Sequence, residues 1–346
     1  MTHRFPIKEI ARQAGLGTAT VDRVLNGRAH VSSQTRARVE AALAELEMQE
    51  RQLSARGRRM FVDIVLEAPQ RFSRQIRAAC EATLPELPEA VFRPRFQFQE
   101  IMQENEIVAI LERIRRRGSQ GVVVTARDVP AVRDKVDELE TAGIPVVTLA
   151  TDISCSKRTA YVGIDNARAG QTAAFLLAQV LGERRSTILT SRRREEFQGE
   201  AERYLEFRKH FLQVRPDDEI VEITGGAGLS MDTRRRLETE LFKFPAVDAV
   251  YSIGGGNRAI LEVLRDADRA PGCFIAHDLD AENVELLRSG QINFVLHHDL
   301  QLNMYQAFRA LSAKHSLVPS SDATGLSDIQ VVTPYNIPIA RETTPA

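Results

Sequence analysis

The stretch Ile7-Lys-Glu-Ile-Ala-Arg-Gln-Ala-Gly-Leu-Gly-Thr-Ala-Thr-Val-Asp-Arg-Val-Leu-Asn-Gly27 reads as two short helices around a glycine turn. Over Ile7–Ala14, the apolar residues Ile7, Ile10 and Ala11 share one face at amphipathic-helix spacing. Gly15-Leu16-Gly17 interrupts that pattern, and glycine suits a tight connection between steeply crossing helices. Thr18–Leu25 then turns Val21, Val24 and Leu25 inward, and the αL-tolerant pair Asn26-Gly27 ends it. Ser32 or Ser33 can cap a third helix expected to reach about Glu47, buried through Val39, Ala42, Leu43 and Leu46.

Three such helices form a helix-turn-helix, whose second helix enters the DNA major groove. With its apolar residues turned inward, that helix presents Thr18, Ala19, Asp22 and Arg23 on its outer face. Arg23 has the fork to read guanine, Ala19 a methyl to meet that of thymine, and Asp22 an acceptor for cytosine. The other reading of Arg23 is a salt bridge within the domain. A carboxylate beside phosphates is repelled, so Asp22 must read a base, pair with Arg23 or lower affinity. Charge agrees with a nucleic-acid partner for this segment. Residues 1–59 hold eleven Lys or Arg against six Asp or Glu, whereas the remainder is acidic within a net charge of −1.

The whole chain has 346 residues, suiting a small module joined to a large one or to two similar halves. A hydrophobic share of 43% and a charged share of 27% are those of a globular protein, and no apolar run approaches a membrane span of about 20 residues. The opening Met-Thr-His-Arg-Phe-Pro lacks a secretory apolar core, which predicts a cytoplasmic, nucleoid-associated location. Cys80, Cys155 and Cys273 are odd in number and widely spaced, arguing against disulfides and zinc.

From Phe61 onward, short apolar runs alternate with amphipathic helices. The runs are Phe61–Leu66, Gly121–Thr125, Pro145–Leu149, Ser186–Leu189, Ala246–Ile253 and Cys273–Ala276, and the helices include Ile107–Arg117, Asn166–Leu181 and Arg258–Asp266. Continuous apolar strands between helices predict parallel sheets covered on both faces, and nearly 280 residues of this pattern predict two lobes. Ligands in such folds sit beyond the carboxyl ends of the strands. That rule nominates Gln70, Arg71 and Phe72, then Thr151 and Asp152, then Gly254-Gly-Gly-Asn257, then His277 and Asp278, and finally His297, His298 and Asp299. Carboxylates, an amide and an aromatic ring in one cleft suit a polyhydroxylated ring. Asp278 has a competing reading as the cap of a helix beginning near Asp280. Adjacent residues on a strand point to opposite faces, so His297-His298-Asp299 makes a poor chelate, and neither a metal nor a cofactor is expected.

The runs Ile7–Leu16, Thr20-Val-Asp-Arg-Val-Leu-Asn-Gly27, Val31-Ser-Ser-Gln-Thr-Arg36 and Ala41–Leu46 resemble the head of the lactose-repressor (LacI–GalR) family of transcriptional regulators. Asp22 and Gly17 depart from that family's usual serines, so an operator sequence does not transfer. The resemblance implies base contacts from Thr18, Ala19 and Arg23, and phosphate contacts from Asn26, His30, Ser32 and Thr35. The linker Glu47-Met-Gln-Glu-Arg-Gln-Leu53-Ser-Ala-Arg-Gly-Arg-Arg59 lacks the family's aromatic residue and proline. Leu53 as a minor-groove wedge and a solvated basic linker both remain open.

The body resembles the periplasmic sugar-binding-protein fold, nearest its ribose-binding branch. Aligned on that fold, Arg203 matches the ligand arginine and Asp278 the ligand carboxylate. His298 falls where a ligand amide is usual, Phe72 in the aromatic pair, and Asn257 just past the ligand asparagine. Ala150 replaces a polar residue, for which Thr151 or Asp152 can compensate.

The fold expected is therefore α/β: a helix-turn-helix at 1–47, a linker at 48–60, and a two-lobed periplasmic-binding-protein-like (type I) domain at 61–340. The function expected is a DNA-binding repressor, a homodimer or higher, on a near-palindromic operator and controlled by a small sugar or polyol. The competing expectation is a sugar-active α/β enzyme with a non-specific basic extension. Against it, Gly254–Asn257 does not complete Gly-x-Gly-x-x-Gly, and neither a phosphate-loop nor a Gly-x-Ser-x-Gly motif occurs.

Overall fold

The computed structural model describes residues 5–28, 31–55, 58–154, 156–226, 228–244, 246–320 and 326–338, with side chains at 48–55 left aside. Helices α1 (Ile7–Ala14), α2 (Thr18–Leu25) and α3 (Ser33–Ala55) form the N-terminal unit. Ile10, Ala11, Ala14, Val21, Val39, Ala42 and Leu46 are its buried core, with Phe5 beside them. Gly15 closes α1 in the left-handed conformation (φ 60°), and Leu16 N–H bonds back to Ala11 O at 2.9 Å. Arg38 donates from Nη2 to Ala14 O at 2.8 Å, which satisfies another orphan carbonyl of the same helix end. Ser32 caps α3, its hydroxyl accepting from Thr35 N–H at 3.1 Å. That third helix continues through the expected linker as far as Ala55.

Lobe 1 is a five-stranded sheet in the order β2-β1-β3-β4-β5, parallel throughout. Its strands are β1 (Arg59–Glu67), β2 (Val91–Gln99), β3 (Gly121–Thr125), β4 (Val146–Leu149) and β5 (Ala160–Val162). α4 (Gln70–Thr83) packs on one face, while α5 (Glu104–Arg117) and α6 (Pro130–Thr141) pack on the other. β1, β3 and β4 are buried almost end to end, which is why they read as unbroken apolar runs.

Lobe 2 follows the order β11-β10-β9-β8-β6-β7, with β11 antiparallel to β10 and the rest parallel. Its strands are β6 (Thr187–Arg192), β7 (Glu219–Thr224), β8 (Ala249–Ser252), β9 (Cys273–His277), β10 (Phe294–His297) and β11 (Gln330–Val332). α7 (Asn166–Val180) and α8 (Gln198–Val214) cover one face. α9 (Ser230–Glu240), α10 (Asn257–Asp266) and α11 (Ala281–Arg288) cover the other. α12 (Leu300–Lys314) leaves lobe 2 after β10 but buries Met304, Ala307, Phe308 and Leu311 in the core of lobe 1.

The chain therefore crosses between lobes after β5, after β10 and again before β11. The first and last crossings meet at an isolated bridge between Ile164 and Ser327. The approach at Gly163 is close: a Cβ there would stand 2.4 Å from the Tyr161 hydroxyl and require that side chain to shift. Among the described residues, no helix is long and apolar enough to cross a membrane.

Candidate functional site

A cavity opens between the lobes at the carboxyl ends of the strands, where this architecture puts ligands. Its lobe 1 wall is Pro69, Arg71, Phe72 and Gln75 of the β1–α4 segment, Thr125 at the end of β3, and Ala150 and Thr151 after β4. Its lobe 2 wall is Arg193 after β6, Glu200 and Arg203 of α8, Ile253 and Gly254 after β8, and Asp278 and Asp280 after β9. About 580 Å³ lies between them, open solvent included.

Two of these strand ends turn through left-handed backbone at non-glycine residues, Ala150 (φ 63°) and Asp278 (φ 66°). Such conformations cost about 1–3 kcal/mol each and persist where surrounding bonds enforce them. At Asp278 the enforcement is visible. Its N–H bonds Leu296 O at 3.0 Å, and Asn283 Nδ2 donates to His277 O and Asp278 O at 2.9 and 2.6 Å. Asp280 caps α11 through Asn283 N–H (2.8 Å), so the capping role once open to Asp278 belongs to Asp280.

Arg203 is buried, and its Nε donates to Asn166 Oδ1 at 2.8 Å. Asn166 in turn donates to the Tyr161 hydroxyl (3.0 Å), which donates to Ile164 O (2.9 Å) at the first crossing. Burial pushes the Tyr161 phenol up to about 12, keeping it a neutral donor. α7 and α8 approach so closely that a Cβ on Gly170 would lie 2.2 Å from Arg203 O. Burial pushes the Asp278 carboxyl up, yet the His298 ring and the Arg203 charge outweigh it and hold it well below the usual range. Asp280 moves the other way, raised by burial against the opposing effects of Asn283 N–H and Arg71. Arg193 pairs with Glu200, and Arg71 with Asp280.

Four of the seven residues expected in the cleft, Phe72, Thr151, Arg203 and Asp278, line it. Phe72 lends a buried apolar surface, and the Thr151 hydroxyl accepts from Gly199 N–H of lobe 2 at 3.0 Å. Three are not on the wall, which corrects the reading of them as ligand contacts. Asp152 is consumed locally: it pairs with Arg158 and accepts from Thr148 Oγ1 (2.7 Å) and Ile153 N–H (2.8 Å). Asn257 is buried at the start of α10 and donates to Asn283 Oδ1 at 2.7 Å, so it props the Asp278 turn from behind. His298 is buried behind Asp278, its Nε2 3.7 Å from the carboxylate. Arg71, nominated by the strand-end rule, also lines the wall, together with Gln75, Thr125, Arg193, Glu200 and Asp280, which the sequence does not single out. Most share one signal, a position at or just past a strand end or in the first turn of a helix.

On the N-terminal unit, Thr18, Ala19, Arg23 and Asn26 are exposed on or just after α2. Asp22 is half-buried and engages Asn26 Nδ2 (2.9 Å) and Arg28 (3.8 Å), a partner not anticipated for it. Ser32 and Thr35 bond each other at the start of α3 (2.8 Å), where backbone N–H groups favour anions. His30 and the side chain of Leu53 lie outside the described residues.

Residues 6–49 match the family described as bacterial regulatory proteins, lacI family, and residues 64–315 match the periplasmic binding protein domain. The HTH-type transcriptional regulator TreR of Salmonella typhimurium (strain LT2) is 34% identical over 133 residues, 36% of this chain and 39% of that protein. The matched part thus spans less than half of that relative. Among solved structures, GanP, a glucose-galactose binding protein from Geobacillus stearothermophilus, superposes with a TM-score of 0.71 at 20% identity, covering 82% of this chain and 99% of that one. A putative LacI transcriptional regulator from Bacteroides fragilis gives 0.69 at 18% identity, covering 81% and 98%. With its two-lobed body matched over most of its length and its first helices matched to the regulators, the chain belongs to the periplasmic-binding-protein-domain family and carries a lacI-family helix-turn-helix at its head.

Proposed function

We propose that this protein is a transcriptional repressor, a cytoplasmic homodimer whose hold on a near-palindromic operator is set by a small sugar or polyol in the interlobe cleft. The observation that carries this reading is the presence, in one chain, of an exposed Thr18–Ala19–Arg23 face on a lacI-family head and a polar cleft at the strand ends. A dimer supplies two heads for half-sites about one helical turn apart. The relatives, a transcriptional regulator and a glucose-galactose binding protein, support the same pairing of partners.

The cleft supports an uncharged, hydroxyl-rich ligand. Arg71, Arg193 and Arg203 are balanced by Glu200, Asp278 and Asp280, while Phe72 offers a ring to a sugar's C–H face. The carboxylates also argue for binding without turnover. Glu200 and Asp280 are each engaged by an arginine, and Asp278 is held ionised, which makes Asp278 a poor general acid. The test is thermal-shift and calorimetric screening of the full chain against aldoses, ketoses, disaccharides and polyols, followed by analysis of the bound compound. A stabilising compound recovered unchanged supports a sensor. Chemical conversion of it restores the enzyme reading.

A further inference from the structure

Side chains of lobe 1 reach across the cleft and bond directly to lobe 2. Arg71, in the first turn of α4, reaches from lobe 1 into lobe 2. Its Nε lies 2.9 Å from Asp280 Oδ2, and its Nη1 donates to Gly228 O at 2.8 Å. The receiving loop is shaped for it: a Cβ on Gly255 (φ 90°) would stand 1.8 Å from Arg71 Nη2, so a guanidinium occupies the space a side chain would need. One turn along α4, Gln75 Nε2 donates to Leu279 O at 2.8 Å, between the two acidic residues that follow β9. Asp280 is 4% exposed and Arg71 30%, so the pair is mostly withdrawn from water and weakly screened.

We propose that Arg71 and Asp280 form an interlobe latch that biases the cleft toward its closed form. Resting on the sensor reading above, the latch sets the effector response: a ligand that needs the closed form binds with an apparent affinity reduced by the fraction of molecules that are open. The Gly254-Gly255-Gly256 run, which failed as a dinucleotide motif, acquires a role as the seat of an arginine.

The test is a pair of spin labels across the cleft mouth of the full-length protein, at Glu104→Cys and Met231→Cys. Both positions are exposed, one at the start of α5 and one in α9. Cys80 and Cys273 are buried, and Cys155 is replaced by serine. Unliganded protein with Arg71 and Asp280 intact should give one short distance. Arg71→Ala should move it to a longer, broader distribution, and Asp280→Asn, which keeps an Oδ1 for the α11 cap, should do the same. The double variant should open no further. An unchanged distribution in both single variants, or an intact protein already open, overturns the latch. A sugar found by screening should bind the variants at least threefold more weakly. Equal or tighter binding overturns the linkage of latch to affinity, and if no sugar binds at all, the sensor reading fails while the distance measurement still decides the latch.

Discussion

His298 presents Nε2 to the Asp278 carboxylate at 3.7 Å while its Nδ1 meets Asn303 Oδ1 at 2.5 Å. Because the Asn303 amide nitrogen donates to Ser327 Oγ (3.0 Å), its oxygen must accept, which makes His298 Nδ1 a donor. Ser327 Oγ then donates to Gly163 O at 3.0 Å. One directed line of hydrogen bonds thus runs from His298, which stands behind the cleft carboxylate, through all three interlobe crossings. Arg203 reaches the first crossing by its own route through Asn166 and Tyr161.

Asn303 is fully buried, so truncating it strands polar groups on two crossings. Asn303→Leu should lower stability by about 1–3 kcal/mol for a stranded partner, seen as a lower urea midpoint with an unchanged slope. A midpoint equal to that of the unmodified protein would show that the line of bonds is ornamental.

Arg203→Met removes a charged donor from the cleft and keeps the aliphatic stem. Binding of a screened sugar should weaken by roughly ten- to hundredfold, as expected for a charge-assisted bond of about 1.5–3 kcal/mol. Operator affinity without sugar should be retained, because the head is untouched. Loss of both activities would contradict the division of labour.

Burial pushes the His297 imidazole down to about 4 and the His277 imidazole well below its ordinary value, whereas an unfolded chain takes up these protons near that ordinary value. The unfolded state then binds more protons as pH falls, so the stability these neutral rings contribute is present above about 6.5 and lost below it. Thermal midpoints should drop between pH 6.5 and 4. His297→Asn should flatten that drop by at most about 1.4 kcal/mol per pH unit. An identical pH profile in the variant would show that His297 titrates normally.

Arg23→Ala should cost roughly 1–3 kcal/mol of operator affinity and relax preference at one base position. Asp22→Ser should strengthen binding at low salt by removing a carboxylate near the phosphates. Measured on a library of single-base operator variants, an unchanged preference after Arg23→Ala would take that arginine out of the readout.

How far the sequence could be read depended on layer. The central strands β1, β3, β4, β6, β8 and β9 are covered on both faces, so their apolar runs stood out. β2, reading Val91-Phe-Arg-Pro-Arg-Phe-Gln-Phe-Gln99, and β7, reading Glu219-Ile-Val-Glu-Ile-Thr224, are edge strands with one exposed side, and their charges and proline hid them. α4 was passed over because its polar first turn, Gln70-Arg71, looked like the loop after β1. In the cleft, Arg203 and Asp278 were reachable through resemblance to a known fold. The Arg71–Asp280 pair was not, since partners some two hundred residues apart leave no local pattern. Asn257 and His298 were placed at the right strand ends but one layer too far forward. They brace Asp278 from behind, a distinction that needs three dimensions.

The most direct test of ligand-controlled operator binding is footprinting of the purified protein on the DNA flanking its own gene, at one fixed salt concentration, with and without each compound of a sugar and polyol panel. Salt is fixed because phosphate-driven affinity falls steeply with it. Saturable protection of a near-palindrome, shifted in midpoint by one compound and unshifted in Arg203→Met, is the predicted result. Sequence-blind protection, indifferent to every compound, would contradict it.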